Sequence, residues 1–271
     1  MRRVVASLLV PLLPACAGPL GVQPEGARLA LDDPHPVTSP GPWLDPAWSP
    51  DGSQLSVAGA RHRGLFLLAA EGGEPMAIPG ASQAEGFRHR WLDGPARILC
   101  PRRGAHGALV VAPSGGPPAP MTDPEPVFVE DEAVWLRGPD GSATRLTPPG
   151  ESFFDPQLSP DGRLLAVVGL GSGLHLVDVD SGLALAHAPG GTHPAWTPDG
   201  AWLLFERVQD NGHALTAGDV WALAADDGDQ VLLTDGAGIA RQPATSPDGT
   251  RLAYLRDGAV WVADLLEGVS P

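Results

Sequence analysis

An all-β fold in the form of a six-bladed β-propeller is predicted by three features of this 271-residue chain. The first is a phrase written four times: "DPAWSPDG" at 45–52, "DPQLSPDG" at 155–162, "HPAWTPDG" at 193–200 and "TSPDG" at 245–249. The second is punctuation. With 35 Gly and 31 Pro in a chain that is 43% hydrophobic, turns are frequent and a core is still affordable, which is the pattern of many short strands. The third is a count of units. Apolar runs, often closed by a Gly or Asp turn, begin at 64, 108, 133, 173, 219 and 259, and no long run has helical periodicity. Small units that cannot bury their own apolar faces stack on their neighbours, and six antiparallel ones close into a ring.

Along the chain, residues 1–16, "MRRVVASLLVPLLPAC", place Arg2 and Arg3 ahead of a short apolar stretch. That is the pattern of a cleaved leader, too short to span a bilayer. Leu13, Pro14, Ala15 and Cys16 resemble the lipobox of bacterial lipoproteins, although Pro14 departs from the small residue usual there. The resemblance implies a signal peptide over 1–15, lipidation of Cys16 and, because Ala17 is uncharged, anchorage to the outer membrane on its periplasmic side. Ordinary secretion with cleavage near Ala15–Ala17 is the alternative; both readings export the chain. Residues 16–25 read as a Gly/Pro-rich tether, and 26–271 as a single propeller domain. Cys100, in "ARILC", is expected to be a buried strand residue, leaving no disulfide framework.

Ser-Pro-Asp-Gly is a β-turn recipe: the hydroxyl caps, Pro presets φ, Asp tolerates the third position and Gly ends the turn. The runs after it, "QLSVAG", "RLLAVVG", "AWLLF" and "RLAYL", lack clean alternation and are expected to be strands covered on both faces. "WLDG" at 91–94 reads as a decayed copy of the phrase. The unit at 125–150 is short and expected to lack a strand, with five blades as the alternative count. "ARLALDD" at 27–33 is an orphan strand, expected to close the ring by pairing its residues 27–31 with 260–264 and so remove both exposed edges.

The pattern x-P-x-[WL]-[ST]-P-D-G followed by an apolar strand resembles the PD40, or WD40-like, repeat of TolB-type propellers. The likeness covers 26–268 and is strongest in the first and last three units. That family carries an α/β domain ahead of its propeller, so the resemblance is to the propeller part only. Its repeat serves scaffolds, peptidase gating domains and lyases, so it implies fold more than function.

The formal net charge of -15 makes nucleic acid an unfavourable partner. All 17 basic residues are Arg, which excludes P-loop and Schiff-base lysines. "GLGSG" at 169–173 puts Ser172 out of register with a nucleophile elbow and reads as a hairpin loop. Asp178, Asp180, Asp226, Asp227 and Asp229 lack calcium-loop spacing and read as solvated turn residues. His175 takes the place that Phe66, Trp135, Trp221 and Trp261 hold in their units, and is expected to pack between blades.

Two classes of loop open on one face of a propeller. The loop before each inner strand carries Asp45, Arg88, His89, Asp155, His193 and Arg241; the loop between second and third strands carries Arg61, His62, Arg103, His106, Asn211 and His213. Arginines gathered there against an acidic background suit an anionic segment. The expectation is therefore a monomeric, non-enzymatic propeller that binds a protein or peptide through this channel face, with no cofactor or metal. Two alternatives stand beside it. A metal-dependent lyase is implied by the repeat's resemblance to oligogalacturonate lyases, with His193 and His89 near the channel and Gln242 as an extra ligand; the other is a purely structural, degenerate propeller.

Overall fold

The computed structural model describes residues 29–81, 86–92, 97–101, 107–115, 119–122 and 126–268. The leader, the tether and Cys16 lie outside the described residues. Six antiparallel sheets follow one another along the chain. Blade 1 comprises Leu44–Trp48, Gln54–Ala58, Leu65–Ala69 and Met76–Ala77; blade 2 comprises Arg90–Leu92, Arg97–Pro101, Gly107–Val111 and Ala119–Thr122. Blade 3 has three strands, Val127–Glu130, Ala133–Arg137 and Ala143–Arg145, in keeping with its short sequence. Blade 4 comprises Phe153–Leu158, Leu164–Gly169, Gly173–Asp178 and Ala184–Ala188; blade 5 comprises Gly191–Trp196, Trp202–Asp210, Leu215–Ala224 and Gln230–Leu232. Blade 6 takes Ala240–Thr245, Arg251–Arg256 and Ala259–Glu267 from the end of the chain and its outer strand, Leu29–Pro36, from the beginning.

The ring is closed, as expected, by the N-terminal strand pairing antiparallel with the last strand of the chain. Leu29 pairs with Glu267, Asp32 with Asp264 and Pro36 with Trp261, with an irregularity between Asp32 and His35. Leu29 is fully buried in the core between blades 5 and 6, against residues such as Trp202, Val220 and Leu265. The other apolar clusters likewise fill the spaces between sheets. One, made of Ala58, Leu65, Ile98, Cys100 and Val111 among others, joins blades 1 and 2. Burial pushes the Cys100 thiol up to about 12, so it behaves as an inert packing residue.

The repeated phrase builds one local device. Ser49 Oγ donates to Asp51 Oδ1 at 2.6 Å and accepts the Gln54 amide at 3.0 Å, while the Gly52 amide closes the turn onto the Ser49 carbonyl at 2.9 Å. Gly52 sits at φ 68°, a left-handed conformation that favours glycine. The same hydroxyl-to-Asp bond recurs at Ser159–Asp161 (2.6 Å), Thr197–Asp199 (2.6 Å) and Ser246–Asp248 (2.5 Å). The Trp immediately ahead of Ser or Thr stitches blades together. Trp48 Nε1 donates to the Ala244 carbonyl at 3.0 Å, from blade 1 to blade 6, and Trp196 Nε1 to that of Gln157 at 3.2 Å, from blade 5 to blade 4.

Candidate functional site

Four inner strands slip register against their neighbours at one place, the residue that precedes a proline: Asp45, Asp155, His193 and Gln242. Proline has no N–H to give the ladder, so the extra residue of a bulge is accommodated there and its side chain is re-aimed. All four are left-handed, with φ of 48°, 58°, 51° and 54°, and Arg88, just ahead of the inner strand of blade 2, joins them at 53°. Non-glycine residues held there cost on the order of 1–3 kcal/mol each, and such strain clusters where side-chain placement matters. The five side chains border one cavity of about 1010 Å³ along the channel.

Hydrogen bonds link them around the ring. His62, on the 3₁₀ turn Ala60–His62, donates from Nδ1 to Asp45 Oδ2 at 2.9 Å, and the Arg88 amide donates to the same oxygen at 3.2 Å. The Arg88 guanidinium forms an ion pair with Asp155, from blade 2 to blade 4. His193 Nδ1 lies 2.8 Å from Glu206 Oε1, a close ion-pair contact without good hydrogen-bond alignment. Glu206, 6% exposed, also accepts from the Gln242 amide at 2.7 Å and from Thr192 Oγ1 at 3.1 Å. Gln242 in turn accepts the Asp45 amide through Oε1 at 3.0 Å, and its side-chain amide nitrogen stands 3.5 Å from His193 Nε2.

These contacts set the charges. Burial works against ionisation of Glu206, but the close His193 ring and the hydrogen bond from the Gln242 amide outweigh it and hold the carboxyl below its usual range. Asp45 is likewise lowered in spite of burial, chiefly by His62. Burial brings Arg88 down to about 10, against the opposing pull of Asp45 and Glu206, so it stays a cation at neutral pH. Its Nε has no hydrogen-bond partner among the described residues.

The structure thus brings together Asp45, Arg88, Asp155 and His193 of the candidate residues, with His62 behind Asp45. His89 borders the cavity but is buried, and both its ring nitrogens are engaged. Nδ1 meets the Gly86 carbonyl at 2.8 Å and Nε2 meets Ser56 Oγ at 2.9 Å, tying blade 2 to blade 1. Burial lowers its pKa and favours the neutral ring. Arg61 is exposed on the 3₁₀ turn, and Arg241 is half-buried one residue ahead of Gln242, away from the cavity border. Asn211 and His213 sit exposed at the tip of the long blade 5 hairpin, where Asn211 Oδ1 accepts the amides of His213 and Ala214, both at 3.0 Å. Arg103 and His106 lie outside the described residues. Ser172 is in a hairpin turn, as expected. His175 packs within blade 4 instead of between blades, stacked on His187 with ring centroids 4.5 Å apart, because those residues face each other across paired strands.

Glu206 was not among the candidates, and Gln242 entered only as an extra ligand of the lyase alternative, not as a bulge residue. Aligning the four x-Pro steps would have placed Gln242 opposite Asp45 in the repeat, with Arg241 one position off. Glu206 leaves only a weak trace, the first charge after the apolar run "AWLLF". Among the described residues, no three His, Cys, Asp or Glu side chains converge as metal donors. With His89 committed to Ser56 and Arg88 paired to Asp155, the donor set does not fit the metal that the lyase resemblance implies.

No protein-family model matches the sequence. An uncharacterized protein of Agrobacterium fabrum is 24% identical over 216 residues, which are 78% of this chain and 64% of that protein, so the chain spans less than two thirds of this relative. Among solved structures, a gluconolactonase from Xanthomonas campestris superposes with a TM-score of 0.62 at 15% identity, over 92% of this chain and 99% of that one. A candidate gluconolactonase superposes at 0.63 and 13% identity, over 90% and 97%. A TolB candidate from Agrobacterium tumefaciens aligns over 84% and 78% at 21% identity, with a TM-score of 0.38. At these identities the likeness is one of fold, and the fold is a propeller. The expectation of a non-enzymatic protein is corrected on this finding: of the solved propellers that superpose on the chain, one is a gluconolactonase and another a candidate gluconolactonase.

Proposed function

We propose that this chain is a hydrolase that opens a small lactone or ester in the propeller channel. The observation that carries the reading is the His193–Glu206 pair on the cavity wall: an imidazole with a buried carboxylate at 2.8 Å behind it, 29% exposed itself, on the same cavity as the Arg88 cation. The gluconolactonase fold neighbours are consistent with it.

In this reading His193 Nε2 takes a proton from a water molecule, and the oxygen of that water adds to the substrate's carbonyl carbon. Glu206, 2.8 Å from Nδ1, stabilises the imidazolium that forms, the electrostatic role of a buried carboxylate behind a histidine base. Arg88, held by Asp155, faces the negative charge that develops on the carbonyl oxygen. The carbon–oxygen bond of the ring or ester then breaks, and Nε2–H returns the proton to the departing alkoxide. The products are a carboxylic acid and an alcohol, joined in one molecule when the substrate is a lactone.

The test is turnover of a panel of lactones and esters by the purified full chain, followed by acid release. His193→Ala should lower kcat by about 10²–10⁴. Glu206→Gln, a change at a positioning residue, should also displace the pH–rate profile. Absence of turnover across the panel, or a His193→Ala variant as active as the parent, would overturn the reading. Release of an unsaturated product from oligogalacturonate would assign the site to elimination instead.

A further inference from the structure

Among the described residues, the strand that blade 3 lacks is the innermost one. The Val134 amide donates to Thr147 Oγ1 at 3.0 Å, as the Val220 amide does to Thr234 Oγ1 at 3.1 Å and the Val260 amide to Thr38 Oγ1 at 3.0 Å. Each of these valines is followed by a tryptophan. Val220 and Val260 lie on the third strands of blades 5 and 6, so Ala133–Arg137 is a third strand and Val127–Glu130 a second one. The turn between the two agrees. The Phe153 amide, at the start of blade 4, donates to the Glu132 carbonyl at 2.8 Å, as the Gly86 amide, ahead of blade 2, donates to the His62 carbonyl at 2.6 Å in the corresponding turn of blade 1. No described strand pairs with the inner edge of Val127–Glu130.

That edge faces the channel. Residues 127–131 border the cavity one after another, whereas the other blades border it with their inner strands and the turns at the ends of these, Pro101 of blade 2 excepted. In an antiparallel ladder every second residue bonds to one neighbour, and the residues between aim N–H and C=O the other way. The Arg137 amide donates to the Pro126 carbonyl at 2.7 Å, which sets the alternation. Phe128 and Glu130 therefore bond to the third strand, and Val127 and Val129 present N–H and C=O to the channel. In blade 6 the corresponding Ala253 and Leu255 pair with Ala244 and Arg241 of the inner strand. Leu255 is 1% exposed and Val129 43%. An open strand edge is a template for another extended chain, whose own main chain supplies the bonds. On either side stand Arg88 and Arg90 of blade 2 and Asp155 and Gln157 of blade 4, polar surroundings that suit an amide chain better than a hydrocarbon one.

Resting on the hydrolase reading, we infer that the lactone or ester of the substrate is carried on an extended peptide chain, which lies along Val127–Glu130 in the place of the inner strand. Arg88 and Asp155 pair from blade 2 to blade 4 near the start of their inner strands. The reacting carbonyl sits at that end, and the peptide runs from it antiparallel to Val127–Glu130, exchanging hydrogen bonds with Val127 and Val129.

The experiment compares two substrates on the full chain: γ-butyrolactone-γ-carboxylic acid joined through its carboxyl to Ala-Val-Ala-amide, and the simple primary amide of the same lactone acid. The peptidyl lactone should show the larger kcat/KM by about tenfold or more, the scale of a few main-chain hydrogen bonds. Val129→Pro removes an N–H that the fold leaves unused, on a strand edge that tolerates proline, so the melting temperature should be kept while the ratio falls about fivefold through KM. N-methylation of the peptide, one amide at a time, reads the same bonds from the ligand's side should that variant fold poorly: amides that face the edge lose rate and the alternate one does not. A ratio near one, or a ratio unmoved by both Val129→Pro and N-methylation, overturns the inference while leaving the hydrolase reading in place. If neither lactone is opened, the hydrolase reading fails, and NMR titration with the peptidyl lactone decides the edge. Saturable shifts of the Val127 and Val129 amides support it, and their absence overturns it.

Discussion

Gln242 accepts the Asp45 backbone amide at 3.0 Å, so a side chain of the last blade holds the strained bulge of the first. The same residue gives its own amide to Glu206 at 2.7 Å, which makes it the point where blades 1, 5 and 6 meet at the cavity.

Gln242→Ala leaves the Asp45 amide without its acceptor in a buried setting. The expected loss is about 1–3 kcal/mol, the cost of an unsatisfied buried donor. Urea denaturation reads it. An unchanged midpoint at unchanged slope would show that the bulge holds itself.

Acid should weaken the turns. Hydrogen bonds from the Ser49 hydroxyl and from the amide and hydroxyl of Ser53 draw the Asp51 carboxyl down to about 2, and Asp161 and Asp248 are lowered chiefly by Ser159 and Ser246. A folded-state pKa below the unfolded value contributes stability above that unfolded value and loses it as pH falls through the folded one. The loss is therefore expected between about pH 4 and pH 2. In thermal melts across that window, a triple Asp→Asn variant at 51, 161 and 248 should lose less melting temperature than the parent. Parallel curves would place the acid sensitivity elsewhere.

Ring closure is the third expectation. Leu29 is fully buried, so Leu29→Ala should cost about 2–5 kcal/mol, and a chain that begins at Val37 should lose more than that. If the shortened chain melts like the parent, blade 6 does not depend on its outer strand.

The ring was legible because its units are written in one phrase, and each phrase is a local structure: hydroxyl, proline, aspartate and glycine act within a few residues of each other. Blade 3 showed its missing strand as missing length, and Leu29–Pro36 showed itself as a strand without a unit. The network at the cavity was only half legible. Its bulge residues share the x-Pro step, but their partners are set by the ring. Glu206 reaches Gln242 across 36 positions, and Arg88 meets Asp155 from blade 2 to blade 4, past a blade that contributes no such residue.

The closing strand also fixes an order of events. The Val260 amide finds its acceptor, Thr38 Oγ1, 222 positions earlier in the chain, and Leu29 pairs with Glu267, so the strand made first waits for the one made last. At about 5–20 residues per second, synthesis of the intervening chain takes on the order of ten to forty seconds. Throughout that time the early segment is an unpaired edge carrying Leu29 and Leu31. Its remaining residues suit the delay: Asp32, Asp33, Pro34 and Pro36 are charges and prolines of the kind that discourage pairing with a stranger, and the register irregularity between Asp32 and His35 falls among them. The composition that makes this strand a poor template for aggregation is the composition that lets it wait for its partner.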